Sequence, residues 1–198
     1  MTRRLPIIPT LIVLVAIGAM VALGVWQLQR SAWKNNLIAH YQSAASAQPV
    51  PFPSGADYES DLYRRSSLEC LEVQDRTAIA GRNHAGETGF AQVVTCDIGA
   101  GAPVAIRLGW TRDPELRNWD GGTISGWVIQ GQGRAALVAD TAPAGMEDLV
   151  QPDPNNMPNN HLSYAVQWFL FALSAAVIYV LALRRRNRGG ADGAIIDG

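Results

Sequence analysis

The sequence predicts a membrane protein in which two transmembrane helices, one near each end of the chain, flank a mostly antiparallel β domain of small barrel or sandwich type. Three observations support this fold class. The chain has two long uncharged stretches, each stretch has arginine on the side nearer the chain end, and the middle segment reads as short strands separated by turns rich in glycine and proline.

The first uncharged stretch covers residues 5–29, which is 25 residues. A helix rises about 1.5 Å per residue, so roughly 20 residues cross the hydrocarbon core of a bilayer. We therefore predict transmembrane helix 1 over 5–29, after a cytoplasmic N-terminus of residues 1–4. Its apolar core exceeds the roughly 7–15 residues of a signal peptide, so we expect an uncleaved anchor. A juxtamembrane helix should continue to about Ala44, because three prolines follow between residues 48 and 54.

The segment 30–160 is predicted to form the β domain together with that juxtamembrane helix. Short runs with β-forming residues recur between turn-rich pieces, as in small antiparallel barrels and sandwiches. The candidate strands are residues 62–73, 77–81, 90–95, 104–110, 123–130 and 134–139.

The second uncharged stretch covers residues 162–183, and we predict transmembrane helix 2 over 161–183 followed by a basic tail over 184–198. Arg3 and Arg4 precede the first span, and four arginines follow the second between residues 184 and 188. Short arginine-rich flanks stay in the cytoplasm. Both termini are therefore predicted to be cytoplasmic and the β domain periplasmic, in the inner (plasma) membrane.

The segment between the spans is acidic. Residues 31–160 contain nine Lys/Arg and 15 Asp/Glu, a net charge of −6, although the whole chain is close to neutral. This charge argues against nucleic acid as a partner, because nucleic acid requires a basic surface.

Two cysteines, Cys70 and Cys96, lie in this outer segment, where disulfides are permitted. Each ends a candidate strand, so they could pair, or they could be two small buried apolar residues. No metal-ligand spacing is present.

His161 begins the second span, with Tyr164, Trp168 and Phe171 following at helical spacing. Trp26 and Gln27 should lie at the same membrane depth. A histidine above aromatic rings fits an axial haem ligand, and it equally fits an ordinary interfacial histidine beside an aromatic belt. His40 and His84 are expected to be solvated. The small-residue pairs Gly18/Ala22 and Ala172/Ala176 could bring the two spans together.

Catalytic motifs are missing from the sequence, which has no Ser-His-Asp order, no H-E-x-x-H and no glycine-rich phosphate loop. The sequence therefore does not predict an enzyme.

Two sequence blocks nevertheless carry a family resemblance. Residues 159–169 read NNHLSYAVQWF, and residues 24–30 read GVWQLQR, followed by Trp33 and Lys34. Together with the predicted topology, they resemble a bacterial member of the surfeit locus protein 1 family of cytochrome c oxidase assembly factors.

The resemblance implies binding or stabilising of haem a, transiently, for insertion into oxidase subunit I. Carried over residue by residue, His161 is the candidate ligand of the haem iron. Tyr164, Trp168, Trp26 and Gln27 belong to the same two motifs. Arg30 is a hypothetical propionate partner, because guanidinium binds carboxylates well, or else a lipid-headgroup anchor. The implied partners are subunit I and the lipid bilayer, with haem a synthase and a second copy of this chain as further candidates.

The middle of the chain departs from the family pattern. The family commonly has an N-R-G-W strand end, whereas here Leu108 separates Arg107 from Gly109 and Trp110. In a regular strand this extra residue would move Arg107 to the other face. No role is therefore carried onto Arg107.

Two other function classes remain open. The chain could be a scaffold for oxidase subunits that binds no haem itself, in which case His161 would be structural. It could also be a membrane sensor or enzyme with an external ligand domain, although it has neither a catalytic motif nor a long cytoplasmic segment.

Overall fold

A computed structural model describes residues 6–55, 57–99 and 101–192, with side chains described up to residue 186. The chain forms two compact units. The helix unit comprises Met1–Asn36 and Pro158–Gly198, and the β domain comprises Leu37–Met157. Of the arginines used to predict orientation, Arg3, Arg4 and Arg188 lie outside the described side chains.

Helix α1 runs without a break over Ile7–Ala45. The predicted span and the predicted juxtamembrane helix are therefore one helix, which ends before the first of the three prolines. Helix α2 covers His161–Asp192 and begins soon after Pro158. Both helices are long and apolar enough to cross a membrane, and most of their surface is exposed, as a lipid-facing surface would be.

The β domain is built on one seven-stranded sheet with the order β1-β2-β6-β7-β5-β4-β3. The pairs β1·β2 and β5·β7 are parallel and the other four are antiparallel, so the predicted fold class is confirmed. The strands are β1 (Val50–Pro51), β2 (Arg65–Cys70), β3 (Glu72–Arg82), β4 (Thr88–Asp97), β5 (Val104–Thr111), β6 (Gly122–Gln130) and β7 (Ala135–Ala139).

The first two predicted strands, over 62–73 and 77–81, were divided at the wrong place. The chain bends at Leu71, between β2 and β3, and then continues as a single strand to Arg82. Leu71 is 61% exposed, so its apolar side chain is not part of the hydrophobic core. The bend takes the chain from β2, next to one edge of the sheet, to β3 at the opposite edge.

Cys70 and Cys96 form a disulfide with a Cα–Cα distance of 5.4 Å. Their strands, β2 and β4, are four positions apart in the sheet. In a flat sheet that separation would be about 19 Å, because neighbouring strands lie about 4.8 Å apart. The sheet must therefore curl upon itself, as the predicted barrel-like domain requires.

The curled sheet encloses the main core, which includes both cysteines. Its other buried members are Leu68, Val94, Val104, Ile106, Leu108, Ile124, Leu137 and Ala139. Strand β7 is buried along its whole length, because it lies between β5 and β6 and is covered on both faces. On the outer face, Trp110 packs with Ala91, Val138 and Leu149.

The prediction that the extra residue moves Arg107 to the other face is wrong. Gln92 of β4 is opposite Gly109 of β5, while the next residue, Val93, is opposite Arg107. Leu108 is therefore the unpaired residue of a β-bulge. Gln92 and Val93 are consecutive and point to opposite faces, so their partners Gly109 and Arg107 also point to opposite faces. Adjacent residues of a regular strand would have the same arrangement.

The last turns of α1 belong to the β domain. The ring of Tyr41 lies 4.8 Å from the ring of Tyr63, between centroids, and Gln42 donates to Oδ1 of Asn155 at 2.6 Å. Ala44 is buried. The end of the long helix is thereby fixed to the domain that follows it.

Candidate functional site

The helix unit is organised by a seam of less exposed residues on each helix. On α1 they recur with alternating spacings of three and four residues, the heptad pattern of packed helices. They are Thr10, Val13, Ile17, Met20, Gly24, Gln27, Ser31 and Lys34. On α2 the corresponding residues are His161, Ala165, Trp168, Phe169, Ala172, Ala175, Ala176, Tyr179 and Leu183.

The small residues that permit close packing are Gly24 and Ser31 on α1, with Ala165 and Ala172 on α2. A Cβ atom added at Gly24 would lie 2.7 Å from the Phe169 ring. The predicted contact pair Gly18/Ala22 is wrong, because both residues are exposed and nothing lies within 4 Å of a Cβ at Gly18.

Polar contacts occur at both ends of this seam. Thr10 and Tyr179 form a hydrogen bond between their hydroxyl groups near one end. Near the other end, Nδ1 of His161 lies 2.8 Å from Oε1 of Gln27. The sequence placed Gln27 and His161 at one depth, and the structure brings them into direct contact.

The chain leading into α2 is held against α1 by further hydrogen bonds. The Asn159 side chain donates to Oδ1 of Asn35 at 2.7 Å and to the carbonyl of Ser31 at 3.4 Å. Nζ of Lys34 donates to the carbonyl of Pro158 at 2.5 Å. These contacts fix the position of the first residue of α2, His161. Asn35 was missed in the sequence, because a lone surface asparagine carries no signal of its distant partner.

The contact with Gln27 determines which ring nitrogen of His161 carries the hydrogen. An amide oxygen can only accept, so Nδ1 of His161 is the donor. In the neutral imidazole, this tautomer places the lone pair on Nε2. In protein metal sites, a histidine ligand commonly donates its other ring N–H to an oxygen in this way, which fixes the tautomer and the ring orientation.

The aromatic side chains around His161 are distributed over two environments. Trp26 is 53% exposed and Tyr164 is 51% exposed. Trp168 is partly buried and contacts Phe171 edge-on, at 6.1 Å between ring centroids. The predicted stripe of rings is thus only partly formed. Both exposed rings belong to residues close in sequence to the Gln27–His161 contact, since Trp26 precedes Gln27 and Tyr164 lies three residues after His161.

Arg30 lies one turn beyond Trp26 on α1. Its guanidinium is 4.0 Å from the centroid of the Trp33 ring, a cation–π contact. Arg30 forms no ion pair with a described residue. Its charge is therefore available to an anionic group outside the protein.

Among the described side chains, residues 6–55, 57–99 and 101–186, no group of three His, Cys, Asp or Glu could hold a metal ion. His40 and His84 are exposed, as predicted.

Two comparisons with known proteins agree with the earlier resemblance. A family model described as the SURF1 family matches residues 14–173, which is most of the chain. Surfeit locus protein 1 of Homo sapiens is 56% identical over 32 residues, a segment that covers 16% of this chain and 11% of the human protein. The chain therefore belongs to the SURF1 family.

Proposed function

We propose that this chain assists the assembly of haem–copper cytochrome c oxidase by holding haem a transiently for subunit I. The observation that carries the proposal is the Gln27–His161 hydrogen bond. It fixes the ring orientation and selects the neutral tautomer with its lone pair on Nε2, which is the tautomer that can ligate a haem iron.

The residues present fit such a group. His161 would bind the iron, and Gln27 would orient the imidazole. The exposed rings of Trp26 and Tyr164 offer aromatic surface for a macrocycle, and Trp168 lies one turn beyond Tyr164 on α2. Haem a, when bound, would supply the iron that later serves the redox chemistry of the finished oxidase. One axial histidine suits a carrier, because a carrier must bind its cargo more weakly than the final site does.

The proposal includes a location and partners. The chain would reside in the inner (plasma) membrane of a bacterium, with both termini cytoplasmic and the β domain periplasmic. The basic chain ends and the disulfide support this orientation, since disulfides persist in the oxidising periplasm. Subunit I is the proposed recipient, and haem a synthase and a second copy of this chain are proposed further partners.

The first test is the visible spectrum of the full chain purified from cells that make haem a. Wild-type protein is expected to show a haem a band, and His161→Ala to lose it. Gln27→Leu is expected to lower haem affinity about 10- to 100-fold, the typical effect of removing a group that orients a metal ligand. The matched control is Gln29→Leu, an exposed glutamine on the same helix, which should keep wild-type affinity.

Two results would contradict the haem proposal. One is a wild-type protein without haem that still co-purifies with subunit I, which would favour the scaffold without its own haem. The other is equal haem binding by wild type and His161→Ala. Turnover or signalling by the purified chain would instead favour the sensor or enzyme class.

Arg30 provides a separate prediction about how the haem is held. If it pairs with a propionate, Arg30→Gln should reduce haem retention a few-fold, because exposed ion pairs contribute only about 0–1 kcal/mol. Arg30→Lys should retain most of it. Haem dissociation to excess apomyoglobin measures the effect. Unchanged dissociation from Arg30→Gln would leave Arg30 as a lipid-headgroup anchor.

A further inference from the structure

The outer face of the β domain contains two adjoining cavities. One has a volume of about 440 Å³ and the other about 650 Å³, which is the size range of sites for small molecules. Arg107 and Gln130 line both cavities and therefore lie at the boundary between them. Neither cavity involves any residue of the proposed haem site.

Arg107 and Arg82, which both line the smaller cavity, differ from the other arginines of this domain because their side chains form no ion pair or hydrogen bond with a described residue. Five of the other arginines form ion pairs with carboxylates, namely Arg64, Arg65, Arg76, Arg112 and Arg117. The Arg107 side chain forms neither a hydrogen bond nor an ion pair with any described residue. Desolvation lowers the pKa of Arg107 from its ordinary value, although the residue is exposed by its surface area. Its five N–H donors are therefore open to a ligand in either cavity.

Tyr63 forms part of the wall of the smaller cavity and has a strained backbone. Its φ is +64°, and it is the one described residue other than glycine in the left-handed region. Its N–H donates to the carbonyl of Val128 at 2.8 Å, which holds the conformation. Burial raises the pKa of the Tyr63 phenol, as does the Asp153 carboxylate, so the hydroxyl stays protonated. Strain of this kind concentrates at binding sites.

Gln151 also lines the smaller cavity and has an unused acceptor. Its amide nitrogen lies within 3.3–3.4 Å of the carbonyls of Ala139, Asp140 and Leu149, which fixes the amide orientation. Its Oε1 is buried without a hydrogen-bond partner among the described residues. A buried acceptor without a partner is costly unless a ligand donates to it.

We propose that these cavities form a binding site for a small organic anion, whose carboxylate or phosphate group pairs with Arg107 and which carries a hydroxyl or amine donor for Gln151. Arginine binds both anion types through two parallel hydrogen bonds. The charged residues lining the cavities are Arg82, Arg107 and Arg134 with Asp75 and Asp153. They sum to +1, in a segment whose net charge is −6. This site would add a second, small-molecule ligand to the proposed haem role and is independent of it.

The test is calorimetric titration of the full chain in detergent at low salt, with malate as the carboxylate probe and glycerol 3-phosphate as the phosphate probe. Binding of either probe, weakened about 10- to 100-fold in Arg107→Gln, is expected, because charge-assisted hydrogen bonds of this strength are lost. The probe that binds more tightly identifies the anion class. The control is Arg112→Gln, because Arg112 is exposed and directly follows strand β5. This variant should bind the probes as wild type does.

Two further measurements distinguish a binding role from a structural one. The thermal midpoint of Arg107→Gln without ligand should not fall, because the substitution removes an unpaired charge. His161→Ala should bind the anion normally, so failure of the haem proposal would leave this one standing. Failure of both probes to bind at up to about 10 mM, or equal binding by Arg107→Gln and wild type, would overturn the proposal.

Discussion

Replacing both Cys70 and Cys96 with alanine is expected to lower the free energy of unfolding of the β domain by about 3.5 kcal/mol. The two residues are 26 apart in sequence. Closing a loop of that length reduces the entropy of the unfolded chain by an amount equivalent to about 3.5 kcal/mol at 25 °C. Both residues are buried, so the loss of two sulfur atoms from the core should add to the effect.

Denaturant unfolding of the full chain in detergent, followed by the fluorescence of buried Trp110, measures this change. Reduced wild type is the matched control, because it keeps both sulfur atoms and lacks only the bond. It should lose most of the same stability. If the free energy of unfolding changed by less than about 1 kcal/mol in both proteins, the disulfide would not stabilise the domain by reducing the entropy of the unfolded chain.

Gly24→Leu is expected to separate the two helices next to the Gln27–His161 contact and, under the proposed function, to abolish haem binding. Even a Cβ atom at this position would lie 2.7 Å from the Phe169 ring, and leucine adds three more carbon atoms. Overpacking of this kind costs roughly 1–3 kcal/mol. Gln27 lies three residues further along α1, on the same seam, so separation here should break its hydrogen bond to His161.

The helix separation can be measured by crosslinking. Cysteines at Asn35 and Asn159, whose side chains touch, should be joined efficiently by a short thiol crosslinker in an otherwise wild-type chain. The yield should fall sharply in Gly24→Leu. Gly18→Leu is the control on the same helix, since the space around Gly18 is open. Equal crosslinking and haem binding in both variants would refute the role of Gly24.

The sequence was sufficient to predict the elements of the fold because each one depends on local properties. Two long uncharged stretches predicted α1 and α2, and turn residues delimited most strands. The bend at Leu71 was missed, because the residues around it form an unbroken strand-like run and the bend depends on where the strands pair. The short strand β1 was missed because two residues, one of them proline, give no periodic signal.

The candidate site could be predicted only in part, because local sequence properties do not reveal contacts between residues far apart in the chain. The position of His161 at the start of α2 follows from the sequence, whereas its contact with Gln27 joins residues 134 apart. The packing seam was misassigned to Gly18 and Ala22 because small residues are common in apolar helices. The heptad spacing of Gly24, Gln27 and Ser31 was the better signal, although two of these three residues are polar.

The bulge at Leu108 preserves the alternation of side chains between the two faces of strand β5. A strand alternates between two faces, so one inserted residue normally inverts every side chain on one side of the insertion. Here Gly109 and Arg107 pair with consecutive residues of β4, and Leu108 between them has no partner in that strand. The orientation of Arg107 relative to Trp110 therefore survives the extra residue between them. Deleting Leu108 should keep the alternation of the outer face, while it removes a buried side chain from the main core.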